Sequence, residues 1–315
     1  MGAGFKDVVE KTDIAVANLV ASGGYLNPIQ SDTFIRMIQE QPTIIHAVRT
    51  VPMNSPTMDI DKIGFASRIL HKAPAAGTAL APANRSAPTT DKVSLATKEI
   101  IAEIHLPYDV LEDNIERGSL ESTIMTMISE RASLDLEELI ITGDKLSADE
   151  YLAMYDGILV QATSHVVDYS ATRPNITRGV FKEGMKAMPN KYLRNRSSLR
   201  FYVSPHAEVE WVDSLANRLT ALGDSKIGSF SAQPAYGIPV EAAALMPNYN
   251  YILTFPKNII FGVQRQIMIE TDRDIRARVL VVVMTLRVDI KYEEEDAVVK
   301  CQGLAPDGTT TTTTG

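Results

Sequence analysis

Ser204 and His206 stand two residues apart in YVSPHAEVEW, and Asp213 follows. A serine hydrolase needs these three residue types, with the base in hydrogen-bond reach of the nucleophile and a third group orienting the base. The sequence offers the types without the frame. It has no G-x-S-x-G elbow and no separate histidine motif. Ser204-Pro205 is also a good cap and first-turn pair, so the plainer reading is a helix start with a surface histidine.

The other chemistry-bearing residues lead to the same place. The five histidines are His46, His71, His105, His165 and His206. No two have the i, i+4 or H-E-x-x-H spacing that gathers metal ligands on a helix. The acidic runs DLEE and YEEED read as solvated faces rather than acid/base pairs. Neither G-x-G-x-x-G nor a P-loop occurs. Met125, Met127, Met185 and Met188 read as helix packing, and Cys301 as a small buried hydrophobe. We therefore expect no catalytic residue, no cofactor site and no metal site. A chain this long without a recognisable site reads as a structural or assembly protein.

Composition fits that reading. The 315 residues are 45% hydrophobic and 22% charged, as in globular proteins, and the length suggests about two structural units. A net charge of −8 gives no basic footprint for gripping nucleic-acid phosphates. One cysteine excludes an internal disulfide framework and a cysteine-based zinc site. The first residues lack a signal peptide's charged start and apolar core, and Met1-Gly2 lacks the myristoylation serine or threonine. No apolar run reaches membrane-span length; the longest, Val279 to Met284, is strand-sized. The terminal GTTTTTTG reads as a disordered tail, residues 305–315.

Elements follow from periodicity. Phe5, Val8, Val9, Val16, Leu19 and Val20 share a helical face until Gly23-Gly24. Ser31-Asp32 can cap a short helix that ends before Pro42. Residues 58–70 and 92–106 alternate with period two, and each changes face part-way. They predict one long ribbon, with KAPAAGTALAPANRSAPTTDK (72–92) as its bare tip. PYDVLEDNIE then predicts a short helix. Ser119 can cap a long one in which Leu120, Ile124, Ile128, Ala132, Leu136 and Ile140 recur, with Gly143 placed to end it. Residues 157–253 predict a compact α/β unit: a helix over 176–188, a strand over 199–204, then a helix presenting Val209, Val212, Leu215 and Leu219. The last part is strand-rich. Val279 to Met284 predicts a strand covered on both faces, after which Leu286, Val288 and Ile290 alternate with Arg287, Asp289 and Lys291.

The order of parts resembles the major capsid proteins of tailed double-stranded DNA bacteriophages, the Hong Kong 97-type fold, an α+β class. LNPIQSDTFIRMI followed by VRTVPMNSPTMDIDKIGFASRIL looks like that family's N-terminal arm running into its extended loop. LPYDVLEDNIERGSLESTIMTMISERASLDLEELIITGD looks like the spine helix and its approach. RFYVSPHAEVEW, LTALGD and YGIPVEAAALMP are similar to the axial domain. The run from FGVQRQIMIE to AVVKCQG looks like the closing strands of the peripheral domain. The divisions implied are an arm at 1–50, an extended loop at 51–107, and a peripheral domain at 108–156 and 254–304 around an axial domain at 157–253.

The resemblance implies a shell subunit, not an enzyme. Copies would form pentamers and hexamers of an icosahedral head around packaged DNA, assembled in the host bacterial cytoplasm and found in the virion. Lys72, Thr78, Arg85 and Lys92 would touch a neighbouring subunit from the loop tip. Arg218, Asp224 and Lys226 would approach the capsomer axis. Glu270, Asp272, Arg273 and Asp274 would meet where three capsomers join. Separate scaffolding protein, portal and decoration protein are the implied partners, with DNA as non-specific contents and no membrane. Lys72 and Lys92 flank the tip, but no asparagine matches the acceptor of the type member's Lys–Asn crosslink, so crosslinking is not expected. The alternative is an encapsulin shell enclosing enzyme cargo.

Overall fold

The computed structural model of the chain describes residues 44–65, 68–75, 77, 79–85, 87–107, 120–216, 233–264 and 268–305. The expected helices before residue 44, the PYDVLEDNIE helix, the Ser119 cap, the 218–231 loop and the tail from residue 306 lie outside the described residues.

In chain order, α1 (Ile44–Ala47) leads into β1 (Arg49–Met53), and β2 (Thr57–Gly64) pairs with β3 (Thr89–Ala96). Then come β4 (Lys98–Pro107), α2 (Leu120–Thr142), α3 (Ile158–Gln161) and β5 (Val166–Asp168). The chain continues through α4 (Arg178–Ala187), β6 (Arg200–Val203), α5 (Pro205–Ala216), β7 (Val240–Ala242) and β8 (Tyr251–Thr254). It closes with β9 (Ile259–Gln264), β10 (Met268–Asp274), β11 (Val279–Tyr292) and β12 (Val299–Gln302).

The 14-residue β11 is the axis of the larger sheet. β4 runs antiparallel along one edge, Val288 opposite Lys98 and Val279 opposite Pro107. β9 and then β10 take the other edge, because Val288 also pairs with Val263 and residues 279–285 also pair with β10. β1 extends the sheet by pairing parallel to β9. α2, about 34 Å long at 1.5 Å per residue, lies over one face. Leu136, Leu139 and Ile140 pack there with Val282, Met284, Leu286, Val288 and Ile290 in one core.

Among the described residues, only one face of β11 is fully buried, contrary to the sequence expectation. The even-numbered residues from Val282 to Tyr292 are buried, while Val281 and Val283 are half-buried. The reason is that α2 covers one side alone.

α2 ends at Gly143, but not through a left-handed turn. Gly143 is needed for close backbone approach: a Cβ would fall 2.5 Å from the Leu139 carbonyl and 2.7 Å from that of Tyr155. Gly157 is equally tight, with a Cβ placed 2.8 Å from the Ile140 carbonyl. Its N–H donates to the Gly143 carbonyl at 2.7 Å, which ties the end of α2 to the start of α3.

The second sheet has the order β5-β12-β8-β6-β7. Phe181, Phe201, Trp211 and Tyr251 form its aromatic centre, with Phe181 4.6 Å from Phe201 and 5.0 Å from Trp211 between ring centroids. Tyr236 and Gly237, both at positive φ, make the tight turn that brings Ala235 back to Ile238. The expected face of α5 is corrected. Ala207 and Trp211 point inward at i, i+4 spacing, and Val209 is exposed.

The hairpin also differs from expectation. β3 ends at Ala96, and the next strand leaves the ribbon to join β11. The face change in the sequence near Lys98 is thus a change of partner. Thr97 marks the junction, its N–H donating to the Pro56 carbonyl at 2.8 Å.

Candidate assembly surfaces

Ser204, His206 and Asp213 do not make a site. Ser204 is fully buried, and its Oγ accepts the Ala207 N–H at 3.2 Å as the cap of α5. His206 and Asp213 are exposed. Among the described residues, no three His, Cys, Asp or Glu side chains come together as metal ligands. Burial pushes the Cys301 thiol up to about 12, which suits an inert core residue. The surfaces with unusual character are the two hairpins.

The β2–β3 hairpin has a fixed base and a bare end. At the base Met53, Leu95 and Ile260 are fully buried, with Met58 and Ile60 against them. Gly262 makes room, since a Cβ there would meet Met53 Sδ at 2.8 Å. Asp289, buried in β11, accepts the Ala96 N–H at 2.7 Å through Oδ2 and its neighbour Ile290's N–H at 2.8 Å through Oδ1. Burial holds its carboxyl above the ordinary range, opposed by those two N–H groups. Further out, Lys62 reaches the Glu293 carbonyl at 2.6 Å and pairs with Asp91 at 3.3 Å. Ser94 donates to Asp59 at 2.7 Å, which lowers that carboxyl below its usual value.

Beyond Gly64 the hairpin has little of its own to pack against. Ile63 is 74% exposed and Leu70 79%, with Phe65 and Ile69 also exposed. Residues 65–88 contain Arg68, Lys72 and Arg85 and no Asp or Glu, in a chain whose net charge is −8. A large exposed apolar group at a protruding tip marks an interaction surface. Basic charge on that tip favours an acidic landing surface.

The predicted contact residues fall as follows. Lys72 is exposed in the bare end, and Arg85 is exposed with its Nε donating to the Leu80 carbonyl at 3.3 Å. Lys92 does not flank the tip: it sits inside β3 opposite Asp61 and pairs with Asp59 at 3.6 Å. Thr78, Arg218, Asp224 and Lys226 lie outside the described residues. Glu270, Asp272, Arg273 and Asp274 are together in β10, whose turn into β11 also exposes Ile275. Asp274 Oδ1 accepts the Arg276 N–H at 2.8 Å and so shapes that turn. Acids and arginines alternate there, a pattern that can complement a copy of itself.

Three polar residues that anchor these surfaces were missed from sequence. Asp289 and Glu137 read as solvent-facing, and Lys62 only as the place where the ribbon changes face. Asp289 is buried because the chain crosses over it at Ala96, and Glu137 because α1 rests on it. The YEEED run is not simply solvated either. Glu295 Oε1 accepts the Thr163 and Ser164 N–H groups at 2.7 Å each.

Residues 23–303 match the Phage capsid family. The chain belongs to the phage capsid family. YqbE of Bacillus subtilis (strain 168), named for a prophage capsid, is 47% identical over 308 residues, covering 94% of this chain and 97% of that one. The satellite phage P4 procapsid with its size determination (Sid) protein matches at a TM-score of 0.67 and 14% identity, over 96% of this chain and 98% of that one. The SrpI encapsulin complex of Synechococcus elongatus PCC 7942 matches at 0.54 and 12% identity, over 84% and 88%. At such identities the structures speak for fold alone, and that fold is the Hong Kong 97-type. This capsid protein is a structural subunit of a phage head.

Proposed function

We propose that this capsid protein assembles into pentamers and hexamers of an icosahedral shell that encloses double-stranded DNA. The observation that carries the reading is the β2–β3 hairpin, held at its base by Asp289 and further out by Lys62, yet bare, apolar and basic at its end. A two-stranded ribbon is marginal by itself in water. Laid on a neighbouring subunit, it could contribute to an interface of roughly 800 Å² per partner. Lys72 and Arg85 then contact that neighbour, as does Thr78 by its place in the sequence. Glu270, Asp272, Arg273 and Asp274 meet their counterparts where three capsomers join, and Arg218, Asp224 and Lys226 face the capsomer axis.

The acidic balance suits a container, because packed DNA should not adhere to the wall. A separate scaffolding protein, a portal and a decoration protein are the proposed partners. Assembly takes place in the bacterial cytoplasm, and the product is the virion head.

The encapsulin likeness makes enzyme cargo the competing content. The test is to purify particles, treat them with nuclease and protease, and analyse what survives inside. Protected double-stranded DNA supports the head. A single protected enzyme and no DNA would replace it with the cargo shell.

A further inference from the structure

A groove of about 380 Å³ lies between α2 and β4. Ile100, Ala102 and Ile104 line one wall, and Ile128, Ala132 and Leu136 the other. Arg131, Asp135 and Glu138 stand at its margin. It is open because β4 is an edge strand, paired only to β11 among the described strands, and because Ala102 and Ala132 are too small to close it. The β4 residues stay half-buried, so the core is unfinished there.

We propose that residues 5–20 of the same chain dock in this groove as an amphipathic helix. Phe5, Val8 and Val9 have i, i+3, i+4 spacing, and Val16, Leu19 and Val20 repeat it eleven residues later. Eleven residues are close to three full turns, so both triads fall on one face. Lys6, Asp7, Glu10, Lys11 and Asp13 fall between them. The wall from Ile128 to Leu136 is about 12 Å long, a fit for one triad; the Val16 triad is the one nearer the tether.

The tether favours this occupant. Glu137, fully buried and next to groove-lining Leu136, accepts the Ile44 N–H at 3.1 Å. Ile44 also packs in the same core as Ile128 and Leu136, so the chain that precedes it starts at α2. Between residues 5–20 and Ile44 lie residues 21–30, with Gly23-Gly24 and Pro28, which are linker-like in sequence, and then the short helix expected after Ser31-Asp32. A coil of about ten residues followed by a helix of about ten has a root-mean-square span of roughly 25 Å. It gives an effective local concentration on the order of millimolar, more than a free partner attains.

The test uses the full-length chain with p-benzoyl-phenylalanine in place of Leu19, and in place of Asn18 as the off-face control. After irradiation, mass spectrometry should find crosslinks from position 19 to residues 100–104 or 128–136. They should run at single-chain mobility, in clear excess over those from position 18. A filling variant, Ala132→Leu, should lose the crosslink while melting no earlier than wild type. Should that variant misfold, Val16→Asp leaves the described core intact and should equally abolish it. Equal yields at both positions, crosslinks elsewhere, or crosslinked dimers from a second copy would each overturn the proposal. The outcome is independent of what the shell contains.

Discussion

Glu137 shows how much one side chain can carry that a sequence reading assigns to solvent. Its Oε1 starts α1 through the Ile44 N–H, while Oε2 is buried without a hydrogen-bond partner among the described residues. Burial raises its carboxyl above the ordinary 4.5, against the Ile44 hydrogen bond. The folded state thus binds the proton more readily than the unfolded one. Between 4.5 and the raised folded value, this residue's contribution improves as pH falls; above that value its ionisation opposes folding. Glu137→Gln keeps the acceptor and removes the charge. Denaturant midpoints from pH 8 to pH 5 should show the variant at least as stable as wild type at pH 8, with the gap closing on acidification. Asp289→Asn sets an amide donor against the Ala96 or Ile290 N–H and should cost about 1–3 kcal/mol. Gly157→Ala forces a Cβ onto three backbone atoms and should cost about 1–3 kcal/mol by the same measurement. Residue types alone gave Ser204 correctly as a cap. They could not give Glu137 or Asp289, because what buries each is a distant chain segment.

At the scale of elements, periodicity found α2, β6 and the hairpin, since each has one face against a core. It failed where an element changes surroundings. The 92–106 run looked like one strand because both halves alternate, yet Thr97 divides a hairpin strand from a sheet strand. Val209 looked inward by spacing, but Trp211 sets the phase of α5 and its Nε1 donates to the Gln233 carbonyl at 3.0 Å. The hairpin's division of labour gives a direct expectation. Ile69→Ser with Leu70→Ser removes exposed apolar surface that the isolated subunit does not bury, so folding stability should change by less than about 0.5 kcal/mol. Light scattering during assembly should nevertheless show slower or incomplete growth, because those side chains are proposed to bury against a neighbour.

Among the described residues of the whole molecule, α2 and the two sheets pack into buried cores, while the hairpin end and the β10–β11 turn stay exposed. Its core clusters are filled by its own residues. On the proposed reading, its bare hairpin end and the β10–β11 turn are covered by other copies in the shell. The absence of a legible catalytic motif and the order of arm, ribbon, long helix and closing strands pointed to a shell from sequence. The contacts between copies could not be read that way, because they depend on surfaces no single chain brings together. The most direct test is electron microscopy of the wild-type chain beside a variant in which residues 70–87 are replaced by a short Gly-Ser turn, both produced with whatever scaffold the wild type requires. The account predicts closed shells from the wild type, and only soluble subunits or isolated rings from a variant of unchanged melting temperature. Normal shells from the shortened hairpin, or a wild-type chain that never assembles, would contradict it.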